Sequence, residues 1–225
     1  ISFTDQKYSE MLDYYTLWLH QIKTPIAAMH LLLQDMEESL HKEELQQELF
    51  KIEQYTGMVL QYLKLEDMSH DLLLRNYRLE DIVKQAVKKY ADQFIYKRIS
   101  LQLEPFYCTV LTDEKWLLFV IEQLLSNALK YTNQGVIAIY MMPNQQKTLV
   151  IEDSGIGISE EDIPRVFEKG YTGYNGRMDK KSTGIGLYLC QQILKKLRHR
   201  IYISSTVGVG TKVCIDFSRE DIEIE

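Results

Sequence analysis

Apolar residues stand at Leu12, Tyr15, Leu19, Ile22, Ile26, Met29, Leu33, Met36 and Leu40, separated alternately by three and four positions. That spacing gathers them on one stripe of an α-helix and commits this part of the chain to a helix-bundle or coiled-coil seam. Polar residues at Ser39–Lys42 interrupt the stripe, and a second series follows at Leu45, Leu49, Ile52, Thr56, Val59 and Leu63. Two amphipathic helices joined by a short loop at Ser39–Glu43 predict an antiparallel hairpin. One hairpin is too thin to bury both stripes, so pairing with a second copy into a four-helix bundle is expected. Packing of a single hairpin on the rest of the chain is the alternative.

The polar stretch Glu66–Asp71 reads as a linker, dividing the chain into segments 1–68 and 69–225. Beyond it the pattern is mixed. Helices are expected at Leu79–Phe94, from a cap at Thr112 or Asp113 to Tyr131, and at Leu187–Leu197. Strands are expected at Ile99–Leu103, Thr109–Leu111, Val136–Met142, Thr148–Asp153, Arg200–Ser205 and Thr211–Phe217, with a turn at Pro143-Asn144. Helices mixed with hairpins of this kind predict an α+β layered domain.

The 225 residues carry a net charge of −6, which argues against nucleic acid as a partner. Three widely spaced cysteines, Cys108, Cys190 and Cys214, form no disulfide or zinc pattern and read as buried thiols of a reducing compartment. No apolar run reaches the length of a membrane span. The chain is already in helical pattern near Ile1, so it is expected to be a fragment of a longer protein.

Chemistry concentrates in four later segments: EQLLSNALKYT (122–132), IEDSGIGI (151–158), KSTGIGLYL (181–189) and GVGTKV (208–213). In the first, Gln123, Asn127 and Lys130 are spaced four and three apart and share a helix face. An amide oxygen there suits Mg²⁺ and an ammonium suits a phosphate oxygen, although a solvated helix face has the same spacing. In the second, Asp153 ends a strand before Gly155 and Gly157. Its carboxylate can accept a hydrogen bond from an exocyclic amine such as that of adenine, or simply cap a turn. In the third, Gly184 and Gly186 open a helix whose free N–H groups favour phosphate, with Ser182 and Thr183 adding hydroxyl donors. A glycine-softened helix start would look alike.

Taken in order, these segments resemble the catalytic domain of sensor histidine kinases, within the wider GHKL ATPases. EQLLSNALKYT resembles the family's asparagine box, DSGIG and STGIG its glycine boxes, Phe167 with EKGYTG its phenylalanine box, and GVGT its last glycine turn. The resemblance implies a Bergerat-type α/β sandwich with a mobile lid within Phe167–Thr183. It also implies cofactors ATP and Mg²⁺. The expected nucleotide contacts are Asn127, Lys130, Tyr131, Asp153, Gly155, Gly157, Ile158, Phe167, Ser182, Thr183, Gly184, Ile185, Gly186, Leu187 and Thr211. Asn127 and Gln123 are expected at the metal.

Upstream, LHQIKTPI (19–26) places His20 one step off the seam with Thr24 one turn later, and Pro25 removes a helix hydrogen bond to the Gln21 carbonyl. This segment resembles the phosphoacceptor box of the same family. The resemblance then implies a HisKA-like dimerisation and phosphotransfer hairpin at 1–68 and a catalytic ATP-binding domain at 69–225. The implied activity is ATP-dependent phosphorylation of His20, transfer to an aspartate of a response-regulator receiver domain, and a reverse phosphatase reaction using Thr24. HQIKTP with GYTGYNGR resembles the small intramembrane-sensing kinases that work beside peptide-antibiotic ABC transporters. That implies a homodimer forming the cytoplasmic portion of a bacterial cell-membrane protein.

Two positions depart from the family pattern. The usual acid after the histidine is Gln21, which can accept the Nδ1 hydrogen bond but cannot take a proton. Autophosphorylation is therefore expected to rise with pH as the imidazole becomes neutral. The first asparagine of the usual box is Gln123. A nucleotide-binding dimeric module without efficient kinase activity is the alternative reading; a protein-serine kinase or another GHKL ATPase is a third.

Overall fold

The computed structural model describes residues 3–65, 68, 72–145, 147–173 and 183–218. The chain divides into two compact units, Ile1–Met68 and Ser69–Glu225.

The first unit is a hairpin of helices α1 (Phe3–Gln34) and α2 (Leu40–Lys64). Leu19, Ile26 and Leu33, seven residues apart, are buried, and Ile26 and Leu33 cluster with Leu49 and the half-buried Ile22. The rest of the stripe divides differently: Tyr15, Met29, Met36, Leu45, Ile52 and Val59 are exposed. His30 Nε2 meets Glu53 Oε1 at 2.9 Å between the helices. The turn falls earlier than the spacing predicts. Residues 35–39 form it, and Leu40 opens α2 instead of closing α1. The cause is local. The Ser39 hydroxyl accepts from the Lys42 N–H at 3.2 Å and so caps α2. Lys42 is only 5% exposed, and its ammonium donates to the Met36 carbonyl at 2.8 Å and to Glu38 at 2.6 Å. α1 continues through Pro25, which is exposed. The linker expected at Glu66–Asp71 lies outside the described residues, Met68 apart.

The second unit contains β1 (Arg75–Arg78), α3 (Leu79–Lys89), α4 (Ala91–Lys97), β2 (Ser100–Leu103), β3 (Thr109–Thr112), α5 (Glu114–Tyr131), β4 (Val136–Met141) and β5 (Thr148–Asp153). It continues with a 3-10 turn (Ile163–Arg165), α6 (Gly186–Lys196), β6 (Arg200–Thr206) and β7 (Gly210–Asp216). Five strands form one mixed sheet in the order β2-β4-β5-β7-β6, in which only the β2–β4 pair is parallel. β1 and β3 pair separately as an antiparallel ribbon. α5 packs beside α3 and α6 and against β5. This is a two-layer α/β sandwich.

The layers meet through period-2 and period-3.6 patterns. One row across the sheet reads Leu103, Ile139, Ile151, Val213 and Ile203. Above it α5 buries Leu117, Val120, Ile121, Leu124, Leu125, Ala128 and Leu129. Each such Leu, Ile or Val contributes about 1.5–3 kcal/mol of burial. Asp113 starts α5: its Oδ1 accepts from the Lys115 and Trp116 N–H groups at 3.0 and 3.2 Å, and its Oδ2 from Leu73 N–H at 2.9 Å.

Two expectations need correction here. The single helix expected at Leu79–Phe94 breaks at Tyr90 (φ −98°, ψ 6°), whose N–H turns back to Val87 at 3.1 Å. Tyr90 is buried at the break, and the chain resumes as α4 at Ala91. The strand β1 was not expected, because Arg-Asn-Tyr-Arg carries no alternating apolar pattern; only Tyr77 is half-buried.

Candidate active site

The row next to the apolar one explains the position of Asp153. It reads Leu101, Ile137, Asp153, Thr211 and Ser205. Asp153 lies two residues beyond Ile151, so it shares the helix-facing side of the sheet. A carboxylate is thereby set at the end of β5, where the apolar sandwich opens into a cleft. The lining includes Leu124, Asn127, Ala128 and Tyr131 from α5, Ile151 and Asp153 from β5, and Ile203, Thr211 and Val213 from β6 and β7. Gly157, Ile158, Asp162, Val166, Tyr171, Thr172, Gly173 and Leu187 complete it, around about 830 Å³ that is open to solvent.

Asp153 Oδ1 accepts from Gly155 N–H at 2.8 Å and from Thr211 N–H at 3.3 Å. Oδ2 remains as an acceptor for a ligand. Burial pushes the Asp153 carboxyl above the usual carboxylate range, and the two backbone donors pull it partly back. The following turn is held in place from β6. The Ser205 hydroxyl accepts from Ile158 N–H at 2.8 Å and donates to the Gly210 carbonyl at 2.8 Å. Gly157 adopts φ +72°, and a Cβ there would collide with the backbone of Thr206 and Val207.

On α5, Gln123 Nε2 donates to Asn127 Oδ1 at 3.4 Å. The Gln123 amide also abuts the first residue of α6, since a Cβ on Gly186 would lie 2.6 Å from Nε2. The asparagine is thus linked to the start of the glycine-opened helix. Lys130 Nζ sits 5.3 Å from the centroid of the Tyr131 ring. The Tyr131 carbonyl accepts from Ile156 N–H at 3.1 Å, which ties the end of α5 to the glycine turn.

Of the residues singled out from sequence, Asn127, Tyr131, Asp153, Gly157, Ile158, Leu187 and Thr211 line one cleft. Gly155 is buried beside it. Thr183, Gly184, Ile185 and Gly186 lead into α6, with Ile185 N–H donating to Thr183 Oγ1 at 3.4 Å. Gln123, Lys130 and Phe167 are half-buried outside the lining. Ser182 and most of the expected lid, residues 174–182, lie outside the described residues. In the hairpin, Gln21 and Thr24 are exposed on α1, and His20 follows the buried Leu19; the His20 side chain lies outside the described residues. Tyr171, Thr172 and Gly173 belong to the EKGYTG segment and the expected lid but were not named singly as contacts; Asp162 and Val166 were missed, and nothing in their spacing marks them. Ile203 and Val213 were legible only as core positions.

The cleft suits a flat, largely apolar ligand that presents one hydrogen-bond donor to Asp153. Among the described residues no group of three His, Cys, Asp or Glu could cage a metal. A single amide such as Asn127 fits a divalent cation that arrives bound to phosphates and keeps its waters.

The fold and this cleft define an ATPase domain of the GHKL class. Residues 112–221 match the family described as histidine kinase-, DNA gyrase B-, and HSP90-like ATPase. The chain belongs to the sensor histidine kinase family. It is 37% identical over 205 residues to the sensor protein BceS of Halalkalibacterium halodurans, covering 91% of this chain and 61% of that one. It is 33% identical over 220 residues to the sensor histidine kinase YxdK of Bacillus subtilis, covering 95% and 67%. The chain thus spans about six tenths of the length of these curated relatives. Solved structures share the fold: full-length ShkA in complex with AMPPNP (TM-score 0.63, 17% identity, 92% of this chain and 47% of that one). The histidine kinase AdeS of Acinetobacter baumannii is another (TM-score 0.57, 20% identity, 89% and 98%).

Proposed function

We propose that this chain is the phosphotransfer and catalytic region of a sensor histidine kinase, phosphorylating His20 from ATP and passing the phosphoryl group to an aspartate of a response-regulator receiver domain. The observation that carries the reading is Asp153. Its half-buried carboxylate has one oxygen occupied by backbone donors and lies in the same cleft as Asn127. That is an arrangement for reading an exocyclic amine at one end of a nucleotide and a metal-bound phosphate at the other. The AMPPNP complex of ShkA supports a nucleotide in this fold.

In this reading the adenine lies among Ile151, Ile158, Val213 and Ala128, with its amine on Asp153. Asn127 holds the Mg²⁺ that accompanies ATP, and Lys130 with the N–H groups at the start of α6 positions the phosphates. Mg²⁺ supplies charge neutralisation of the phosphates during transfer. His20 attacks the γ-phosphorus through Nε2, and ADP leaves. Gln21 steadies the imidazole without accepting its proton, so the rate rises with pH as the neutral ring becomes available. Thr24, exposed one turn on, positions water for the reverse, phosphatase reaction. The exposed stripe of Met29, Met36, Leu45, Ile52 and Val59 supports pairing of two hairpins into a four-helix bundle. The names of the relatives mark them as sensor proteins, and in this reading the whole protein is anchored in the cell membrane with this chain on its cytoplasmic side. The segments HQIKTP and GYTGYNGR support an association with an ABC transporter.

The test is incubation with γ-labelled ATP and Mg²⁺ followed by mapping of the modified residue. Acid-labile label on His20, lost in His20→Gln with nucleotide binding intact, is the expected result. Label on a serine, or label that survives His20→Gln, would remove His20 from the role.

A further inference from the structure

Asp162 lies outside every motif of the sequence, yet it lines the cleft together with Val166, Tyr171, Thr172 and Gly173. Four contacts converge on this segment. The Tyr171 hydroxyl donates to Asp162 Oδ1 at 2.5 Å. The Arg165 guanidinium stacks over the Tyr171 ring at 4.2 Å and pairs with Glu168 at 3.1 Å. Gly173 presses against the other carboxylate oxygen so closely that a Cβ there would stand 2.8 Å from Asp162 Oδ2. At the neck of the same segment, Gly170 N–H donates to the Gly184 carbonyl at 2.9 Å, joining it to the start of the glycine-opened turn before α6.

Residues 171–173 carry no regular secondary structure and so have no ladder to fix them. Tyr171 N–H turns back to the Glu168 carbonyl at 3.2 Å, and beyond that turn Asp162 meets the segment twice, at the Tyr171 hydroxyl and at Gly173. We infer that Asp162 is a positioning residue for nucleotide binding: it holds Tyr171–Gly173 as part of the lining of the cleft that also contains Asp153. It acts through Tyr171 and takes no part in phosphoryl transfer. The inference rests on the reading of the cleft as an ATP site.

The consequence is a change in affinity without a change in the chemical step. Removing a hydrogen bond of this kind is expected to weaken nucleotide binding about threefold to tenfold. The experiment measures the dissociation constant of the whole chain for ATP with Mg²⁺, by calorimetry, in wild type, Asp162→Ala, Tyr171→Phe, the double variant and Asp162→Asn. Asp162→Asn keeps an acceptor for the Tyr171 hydroxyl and is expected to restore most of the affinity. The two single variants should lose affinity to a similar extent, and the double variant little further, because both remove one contact. In single-turnover labelling at saturating ATP, the rate should stay within twofold of wild type. Unchanged affinity in both single variants overturns the inference, as does additive loss in the double variant or failure of Asp162→Asn to recover. Melting curves guard against unfolding, and Tyr171→Phe, which leaves the ring and its stacked arginine, carries the test if Asp162→Ala does not fold. A wild-type chain that binds no ATP would instead defeat the reading of the cleft itself.

Discussion

Asp153 and Thr211 face each other across the β5–β7 pair, and Thr211 N–H donates to Asp153 Oδ1 at 3.3 Å. The neighbouring Gly155 N–H takes the same oxygen at 2.8 Å. The carboxylate is held for a ligand at the expense of its own hydration. Asp153→Asn keeps an acceptor for both backbone donors and removes the buried charge. The variant is expected to lose ATP binding by about a hundredfold or more, since an amide donor can then face the exocyclic amine. It is also expected to melt about 1–3 °C higher than wild type in the empty state at pH 7. The sign with pH follows from the raised carboxyl. The folded chain holds this proton to higher pH than the unfolded chain does, so its stabilising effect is complete below the unfolded value and lost as pH rises through the folded one. The melting gap between the variant and wild type should therefore close as pH is lowered towards 4, the ordinary carboxylate range. Calorimetric scans across that range check it.

Gly157→Ala should destabilise the second unit. The backbone is at φ +72°, and the added methyl would meet the Thr206 carbonyl. Strain and overpacking together predict a loss of about 2–4 kcal/mol, read as a lower urea midpoint at unchanged slope.

Lys42 is buried in the first turn of α2, and its ammonium reaches back to the Met36 carbonyl in the hairpin turn. Lys42→Met keeps the methylene stem and removes the donor. A charge-assisted bond of this type predicts a loss of about 1.5–3 kcal/mol. The helical signal of the hairpin, followed by circular dichroism during urea unfolding, should show it, while Lys51→Met, which removes only a surface pair with Glu48 one turn away, should cost no more than about 0.5 kcal/mol.

Arg98 ends α4 in the left-handed region at φ 54°. A glycine adopts that conformation without the Cβ penalty, so Arg98→Gly is expected to gain about 0.5–1 kcal/mol. A fall in the unfolding midpoint would contradict it.

Much of the architecture was legible because it is periodic. α5 ends at Tyr131 and β5 at Asp153, as their apolar patterns predict, and of the two caps expected for α5, Thr112 or Asp113, it is Asp113 that starts it. The glycine segments and Asp153 were legible as chemistry because four segments stand together in one order; taken singly, each also fits a capped turn or a glycine-softened helix start. Where packing overrides spacing, the sequence misleads. A continuous helical pattern is interrupted at the buried Tyr90, and Lys42, expected in the loop, stands buried in the first turn of α2 with its ammonium on the Met36 carbonyl. β1 is held by backbone pairing with β3, which leaves little mark on side-chain pattern. Asp162 and Tyr171 meet nine positions apart, across a 3-10 turn and irregular chain, a separation that neither period describes.

The apolar stripe that the hairpin leaves to water has a mass-action consequence. If the flank bearing Met29, Ile52 and Val59 is covered only by a twin, then folding and association of this unit are one equilibrium, and its midpoint of melting must climb as the protein is concentrated. A lysine at Ile52 and at Val59 would break that link, giving single chains by light scattering and a midpoint indifferent to dilution.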